Sequence, residues 1–306
     1  MLTCACWAGF GLVLIGAAAA LAVLSGRFGY DVEVIDMPVP ALLAVMIASG
    51  CVYLVLAWWM HGRAKTGHRS PAALFAWIFI AGVVMRLVFL GSQPILEDDY
   101  NRYLWDGAVT ANGLNPYVHS PAEAAARQTG SPDLDRLASQ ADAILARINY
   151  ARLRTVYPPV AEAAFALAHG LKPWSLDAWR LLVLTGDLAI FGLVVLLLQA
   201  IGRPLSWVAL YWWNPLVVKE LHNSAHMDVL VVIGMLAAVC LAVKHWPLWA
   251  AGATAFAVGA KLWPFVLLPT LLRPWLRRPA VLTAALAVAV LASAVLLAPI
   301  LLAKLD

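Results

Sequence analysis

Nine apolar runs divide this chain, over residues 7–24, 40–60, 72–90, 179–200, 207–218, 229–243, 246–260, 262–272 and 280–303. A helix needs roughly 20 residues to cross about 30 Å of hydrocarbon, and several runs reach that length. Inside lipid every backbone amide must find its partner within its own element, so such runs predict helices rather than irregular chain. Composition agrees: 63% of the 306 residues are hydrophobic and 12% are charged, where a soluble domain carries about 25% charged residues. The expected fold is all-α and polytopic, with about nine transmembrane helices and one re-entrant or interfacial helix.

The first run has neither a basic leader nor a small-residue cleavage pattern, so it reads as a retained helix. The four cysteines lack metal-ligand spacing and lie at the amino terminus or inside apolar runs, so no structural disulfide is expected. The net charge of +4 is concentrated in short loops, which speaks to orientation and not to nucleic acid. Arg63, Lys65 and Arg69 mark one cytoplasmic loop and Arg273, Arg277 and Arg278 another, with Arg203 and Lys244 at two further turns. Counting crossings from these places residues 91–154 and 220–228 on the outer face. The count requires 157–171, which opens on Pro158-Pro159, to be re-entrant or interfacial. It also requires 246–272 to be two short helices turning near Lys261 and Pro264. One membrane domain over 1–306, with 91–154 as an extracytoplasmic catalytic loop, is the simplest organisation.

Four carboxylates follow directly on an apolar run in Glu97-Asp98-Asp99-Tyr100-Asn101-Arg102-Tyr103-Leu104-Trp105-Asp106-Gly107. Ionised groups at a membrane edge lose hydration that partners, water or a ligand must replace, which makes them candidates for function. A helix over 97–112 puts Asp99, Tyr103 and Asp106 on one stripe and sets Asp98 against Arg102 at i, i+4. Asp98 would then be held by a cation and Asp99 left to act as general base. The plain alternative is a solvated acidic helix start, stabilised by the helix dipole. Asn115-Pro116-Tyr117 reads as the turn that ends the helix.

A second polar cluster, Glu220 to Asp228, contains His222 and His226 four residues apart. One helical turn could present both to a divalent ion together with Glu220 or Asp228, which makes His222, His226 and Asp228 the metal candidates. The same groups could instead line a wet loop or bind sugar hydroxyls. Arg102, Arg180 and Lys261 lie at or near the outer side and could bind a phosphate whose lipid tail stays in the bilayer, though a lone Lys also snorkels. Asp187, deeper in its run, reads as a buried acceptor, and the tryptophans, Trp179, Trp212 and Trp213 among them, read mainly as an interfacial belt.

These motifs, in this order, resemble the GT-C superfamily and within it the polyprenyl-phosphate-mannose-dependent mannosyltransferases of bacteria and their GPI mannosyltransferase relatives. The resemblance rests on the acidic segment from Glu97, then Gly113-Leu114-Asn115-Pro116-Tyr117, Tyr157-Pro158-Pro159, Asn214-Pro215-Leu216 with Glu220, Ser224, His226 and Asp228, and Lys261-Leu262-Trp263-Pro264. It implies transfer of a hexose, first of all mannose, from a polyprenyl-phosphate sugar to a lipid or glycan acceptor on the periplasmic face of the bacterial cytoplasmic membrane, with inversion. The family's catalytic aspartate falls on Asp99, with Asp98 as its competitor. Donor phosphate binding falls to Arg102, Arg180 and Lys261, and sugar or acceptor binding to Glu97, Tyr103, Asp106, Asn115, Tyr157, Glu220, His226 and Asp228. A divalent metal ion is the one cofactor considered. The chain has Ala225-His226-Met227-Asp228 where relatives commonly have Gly-His-Asn-Asp, and it ends soon after Ala303 where they carry further helices, so a shortened member is expected. The rival readings are a transporter or lipid flippase, with Asp187 and Lys261 on its pathway, and a non-catalytic partner of a larger glycosyltransferase.

Overall fold

Gly and Pro set the element boundaries in this computed structural model, which describes residues 2–63 and 72–303. The helices are α1 (Leu2–Ser25), α2 (Val39–Arg63), α3 (Ala72–Leu87), α4 (Asp99–Ala111), α5 (Pro121–Ala125), α6 (Pro132–Ser139), α7 (Asp142–Leu145), α8 (Pro159–Leu171), α9 (Leu176–Ala200), α10 (Ala209–Trp212), α11 (Pro215–Val218), α12 (Asp228–Val243), α13 (Pro247–Ala260), α14 (Leu268–Leu272) and α15 (Pro279–Leu302). No strand occurs among the described residues, so the all-α expectation holds. Proline stands at the first turn of α5, α6, α8, α11, α13 and α15, where its missing N–H would have no partner in any case.

Among the described residues four helices are long and apolar enough to cross a membrane: Ala5–Ser25, Val39–Gly62, Leu176–Ala200 and Pro279–Ile300. Ala72–Leu87, Asp228–Val243 and Pro247–Ala260 are apolar but shorter. The expected count of nine is not confirmed, because two of the apolar runs are broken. Run 207–218 is broken at Trp213-Asn214, where the Asn214 side chain caps the next short helix, and run 262–272 is a 3₁₀ turn followed by the five residues of α14. The break at Lys261 is where expected, between α13 and that turn. Segment 91–154 holds α4 to α7. Lys65 and Arg69 lie outside the described residues.

The chain divides into two units, Met1–Glu97 with Phe191–His226, and Asp98–Ile190 with Met227–Asp306. In the first, α1 packs on α2 and α3 around Leu14, Leu21, Leu56, Ile78 and Met85. Arg86 is buried there. Its Nη1 donates to the carbonyls of Gly82 and Trp212 at 2.9 and 2.8 Å, and its guanidinium lies 3.4 Å from the Trp212 ring centre. Carbonyl dipoles and the ring face replace water around this charge. Trp212 and Trp213 are 0% exposed and donate to the carbonyls of Phe79 and Ile78, while Trp58 and Trp249 are 76% and 71% exposed. The belt reading therefore fails for Trp212 and Trp213, whose N–H groups fasten two segments of the core.

In the second unit α4 lies on α8. A Cβ on Gly107 would meet the Phe165 carbonyl oxygen at 2.5 Å, so only glycine permits this approach. Trp105 and Val109, on another face of α4, pack on Leu134, Leu137 and Leu145 of α6 and α7. Further along, α12 packs on α13 at Gly234 and Ala257, and α13 on α15.

Candidate active site

The acidic segment is positioned by where α4 begins. Asp98 is its N-cap and Asp99 its first residue, so Asp99 opens the helix on the side of Tyr103 while Asp98 lies outside the helical register. Asp98 accepts a hydrogen bond from Asn149 Nδ2, and its carbonyl accepts from Asn101. Arg102 therefore pairs with Asp106, at 2.8 Å, and donates a second bond to the Leu153 carbonyl at 3.0 Å. The expected Asp98–Arg102 pair is corrected, since α4 holds the 102–106 spacing and not the 98–102 one.

Asp99 is partly exposed, and its Oδ2 accepts a bond from the Tyr157 hydroxyl at 3.4 Å. Tyr157 is packed edge-on against Tyr103 and Phe165, with Tyr103 stacked on Phe165 at 4.6 Å and Trp179 closing the cluster. Burial, followed by the Asp99 charge, pushes the Tyr157 phenol upward, so it is a standing donor to the carboxylate. The backbone of Tyr157 is held at both ends. Its carbonyl accepts from Tyr117 Oη at 2.8 Å and its N–H donates to Thr155 Oγ1 at 3.2 Å.

Behind this cluster lie two buried acids and one cation. Asp106 is 2% exposed and bound to Arg102; Glu162 is 2% exposed, with its two oxygens accepting from Thr155 at 2.7 Å and Thr110 at 3.4 Å. Burial, then the neighbouring Asp106 charge, holds the Glu162 carboxyl well above the usual carboxylate range. With one arginine for two acids, Asp106 takes the ion pair and burial disfavours the ionised form of Glu162. Neither Asp106 nor Tyr103, which is 3% exposed, is available to a sugar, and Arg102 is committed to Asp106. These three placements correct the sequence assignment.

Arg180 is likewise 2% exposed, with Asp177 at 3.6 Å, so it is no open phosphate ligand. Lys261 differs. It follows the last residue of α13 with its side chain 43% exposed, and its Nζ meets Asp228 Oδ1 at 2.8 Å. Asn115 is exposed and its Oδ1 accepts from the Tyr117 N–H, the turn expected there. Asp187 is buried, as expected.

In the first unit, His226 Nε2 lies 3.1 Å from Glu97 and 3.2 Å from Glu220. The hydrogen bonds that it donates to Glu220 and Glu97 outweigh burial and raise the imidazole to about 10, so it is an imidazolium. Burial pushes Glu220 upward, but the bond from His226 and the Lys219 charge overcome it and hold the carboxyl at about 2. Lys219 Nζ donates to Glu220 at 3.1 Å and to Ser224 Oγ at 2.9 Å. Glu97 and His226 are groups of this unit that a divalent ion could use, at the cost of the imidazolium proton. His222 is not their partner. Lys219–Asn223 is a π-turn, His222 on it is 4% exposed, and Ala225 at φ 59 turns the chain before His226, so the two histidines do not share a helical turn.

Sequence reasoning missed Asn223, Glu162, Thr155 and Lys219. Asn223 is 0% exposed; its Oδ1 accepts from the Ile95 N–H at 2.9 Å and its Nδ2 donates to Gln93 and Ser92, fixing the approach to the acidic segment. A carboxylate within an otherwise apolar helix was the available signal for Glu162.

Residues 4–277 match the family described as alpha-(1->6)-mannopyranosyltransferase, N-terminal domain. The chain belongs to this family. No curated protein and no solved structure matches it. The protein is thus a mannosyltransferase with a multi-pass membrane fold, and it acts between a sugar donor and an acceptor. In this mannosyltransferase Asp99, which accepts from Tyr157, and the Lys261–Asp228 pair are partly exposed.

Proposed function

We propose that this mannosyltransferase moves mannose from a polyprenyl-phosphate sugar to a glycan or lipid-linked acceptor at the outer face of the bacterial cytoplasmic membrane, with Asp99 as general base. The observation that carries the reading is the Asp99–Tyr157 contact: a carboxylate, still partly open, aimed by a neutral donor from a packed aromatic cluster. Asp99 takes the proton from an acceptor hydroxyl as its oxygen bonds to the anomeric carbon. The bond from that carbon to the phosphate oxygen breaks, and polyprenyl phosphate leaves with the electron pair. Phosphate needs no acid to depart, so the protein must supply a base and positive charge. Lys261 is the cation for the phosphate, with Asp228 holding it ready. The family description gives an α-(1→6) linkage, which a single displacement reaches only from a β-configured donor. On the acceptor side, the exposed Asn115 of the same unit offers its side-chain amide to a sugar hydroxyl.

The test is transfer from radiolabelled polyprenyl-phosphate mannose by the purified full chain in detergent. Asp99→Asn is expected to lose about 10²- to 10⁴-fold in rate, with unaltered thermal unfolding, and Asp98→Asn far less. A folded Asp99→Asn protein of ordinary activity would remove the base assignment.

A further inference from the structure

A polar cavity of about 260 Å³ lies in the second unit, walled by the C-cap of α4, by α6 and by the end of α8. Asn112, Asp133, Arg136, Gln140, His169 and Trp174 face it. None of them belongs to the site described above. Asn112 caps the helix that Asp99 opens, so the cavity is roughly 20 Å along α4 from the proposed base.

The wall chemistry narrows the occupant. Asp133 and Arg136 form an ion pair at 2.9 Å and cancel each other's charge. Burial lowers the His169 imidazole from its usual range, so it is neutral. The cavity therefore carries no net charge and offers nothing particular to a phosphate or carboxylate. It is rich in hydrogen-bonding groups instead. Asn112 Nδ2 is used by the Ala108 carbonyl at 2.8 Å, which leaves Oδ1 as an acceptor. The Gln140 side-chain amide has no intramolecular partner among the described residues. His169 Nδ1 is buried without a partner among the described residues. A buried, unmet acceptor is tolerated more readily than a buried, unmet N–H, so the ring proton belongs on Nε2, where it is a donor.

Trp174 supplies the apolar surface. Its backbone sits at φ 57, a conformation that a bulky side chain rarely adopts, and its ring meets the His169 ring edge-on at 4.9 Å. Strain of this kind concentrates at ligand clamps. An aromatic face beside amide, imidazole, carboxylate and guanidinium groups suits a ring with one apolar face and several hydroxyls. The volume lies just below the roughly 300–1,000 Å³ of drug-sized pockets, which fits a single such ring.

We propose that this cavity is a remote subsite that holds one uncharged sugar unit of the acceptor glycan, several units away from the hydroxyl that receives mannose. This rests on the proposed transfer to a glycan acceptor. Binding energy gathered far from the reacting atoms can be used to hold the acceptor in register, so longer acceptors should be better substrates than short ones.

The experiment compares a simple alkyl mannoside with a linear α-(1→6)-linked oligomannoside as acceptors for the full chain, reading the ratio of their kcat/KM values. Gln140→Ala and, separately, Arg136→Gln are expected to lower the long-over-short preference about tenfold, the effect of losing one hydrogen bond or somewhat more. Equal loss on both acceptors, or no change in the ratio, overturns the subsite. Saturation-transfer NMR of the oligomannoside with the Asp99→Asn protein provides a readout that needs no turnover: contact is expected and should be weakened by Gln140→Ala. If the wild-type protein transfers no mannose but this contact and its loss are seen, the transfer mechanism fails and the subsite stands. Absence of oligomannoside contact in both proteins overturns the subsite.

Discussion

The Tyr157 hydroxyl reaches Asp99 Oδ2 at 3.4 Å across 58 residues of chain, and it does so from a ring wedged against Tyr103 and Phe165. Packing of α4 on α8 thus fixes the direction of the carboxylate. Tyr157→Phe keeps the ring and removes the donor. We expect kcat to fall about tenfold with the donor KM little moved, in line with the loss of one hydrogen bond at a reacting group. An equal change in KM with kcat intact would mark Tyr157 as a substrate contact instead.

The Arg102–Asp106 pair is buried, so breaking it by one side leaves an uncompensated charge. Arg102→Ala should destabilise the protein by about 3–5 kcal/mol, read by thermal unfolding in detergent. Glu162→Gln should be close to neutral, because burial beside Asp106 already disfavours the charge that it removes. A large loss from Glu162→Gln would mean that Glu162 is ionised.

His226 makes stability depend on pH. Its folded value of about 10 lies above the ordinary 6.5, so its contribution is complete below 6.5 and is lost as pH rises through 10. Glu220 runs the other way: held at about 2 against an ordinary 4.5, its contribution is complete above 4.5 and is lost as pH falls through 2. Stability from this cluster should be greatest between pH 4.5 and 6.5 and decline toward 10. His226→Gln should flatten the alkaline decline in the unfolding temperature, and an unchanged slope would detach His226 from it.

Gly107 is the contact point of α4 and α8. An added methyl would sit 2.5 Å from the Phe165 carbonyl oxygen, which is backbone and cannot swing aside. Gly107→Ala should cost about 1–3 kcal/mol and, by tilting α4, lower transfer as well. Gly113→Asn, at φ 73 with open space around it, is the matched control, since Asn tolerates the left-handed region. Equal effects of the two would argue against close packing as the reason.

Much of the site was legible because it is local. Hydropathy marked the long helices; the acidic segment predicted a helix over 97–112, and α4 spans Asp99–Ala111. Pro158-Pro159 marked the start of α8, and the break at Lys261 was visible in the residues around it. Partner choice was not legible. Spacing allowed Arg102 to pair with Asp98 or Asp106, and the start of α4 together with the Leu153 carbonyl, 51 residues away, decided for Asp106.

The same division holds across the chain. Composition and periodicity alone determined that it is a helical membrane protein with a polar, acidic segment beside a span, because each residue's free energy of transfer and each proline's missing N–H act without reference to distant chain. Tertiary structure alone decided which of the polar groups remain open. It buried Tyr103, Asp106, Arg180 and His222, left Asp99 and Lys261 partly exposed, and took Trp212 and Trp213 into the core. Desolvation depends on what packs against a group, and those neighbours come from elements far apart in sequence.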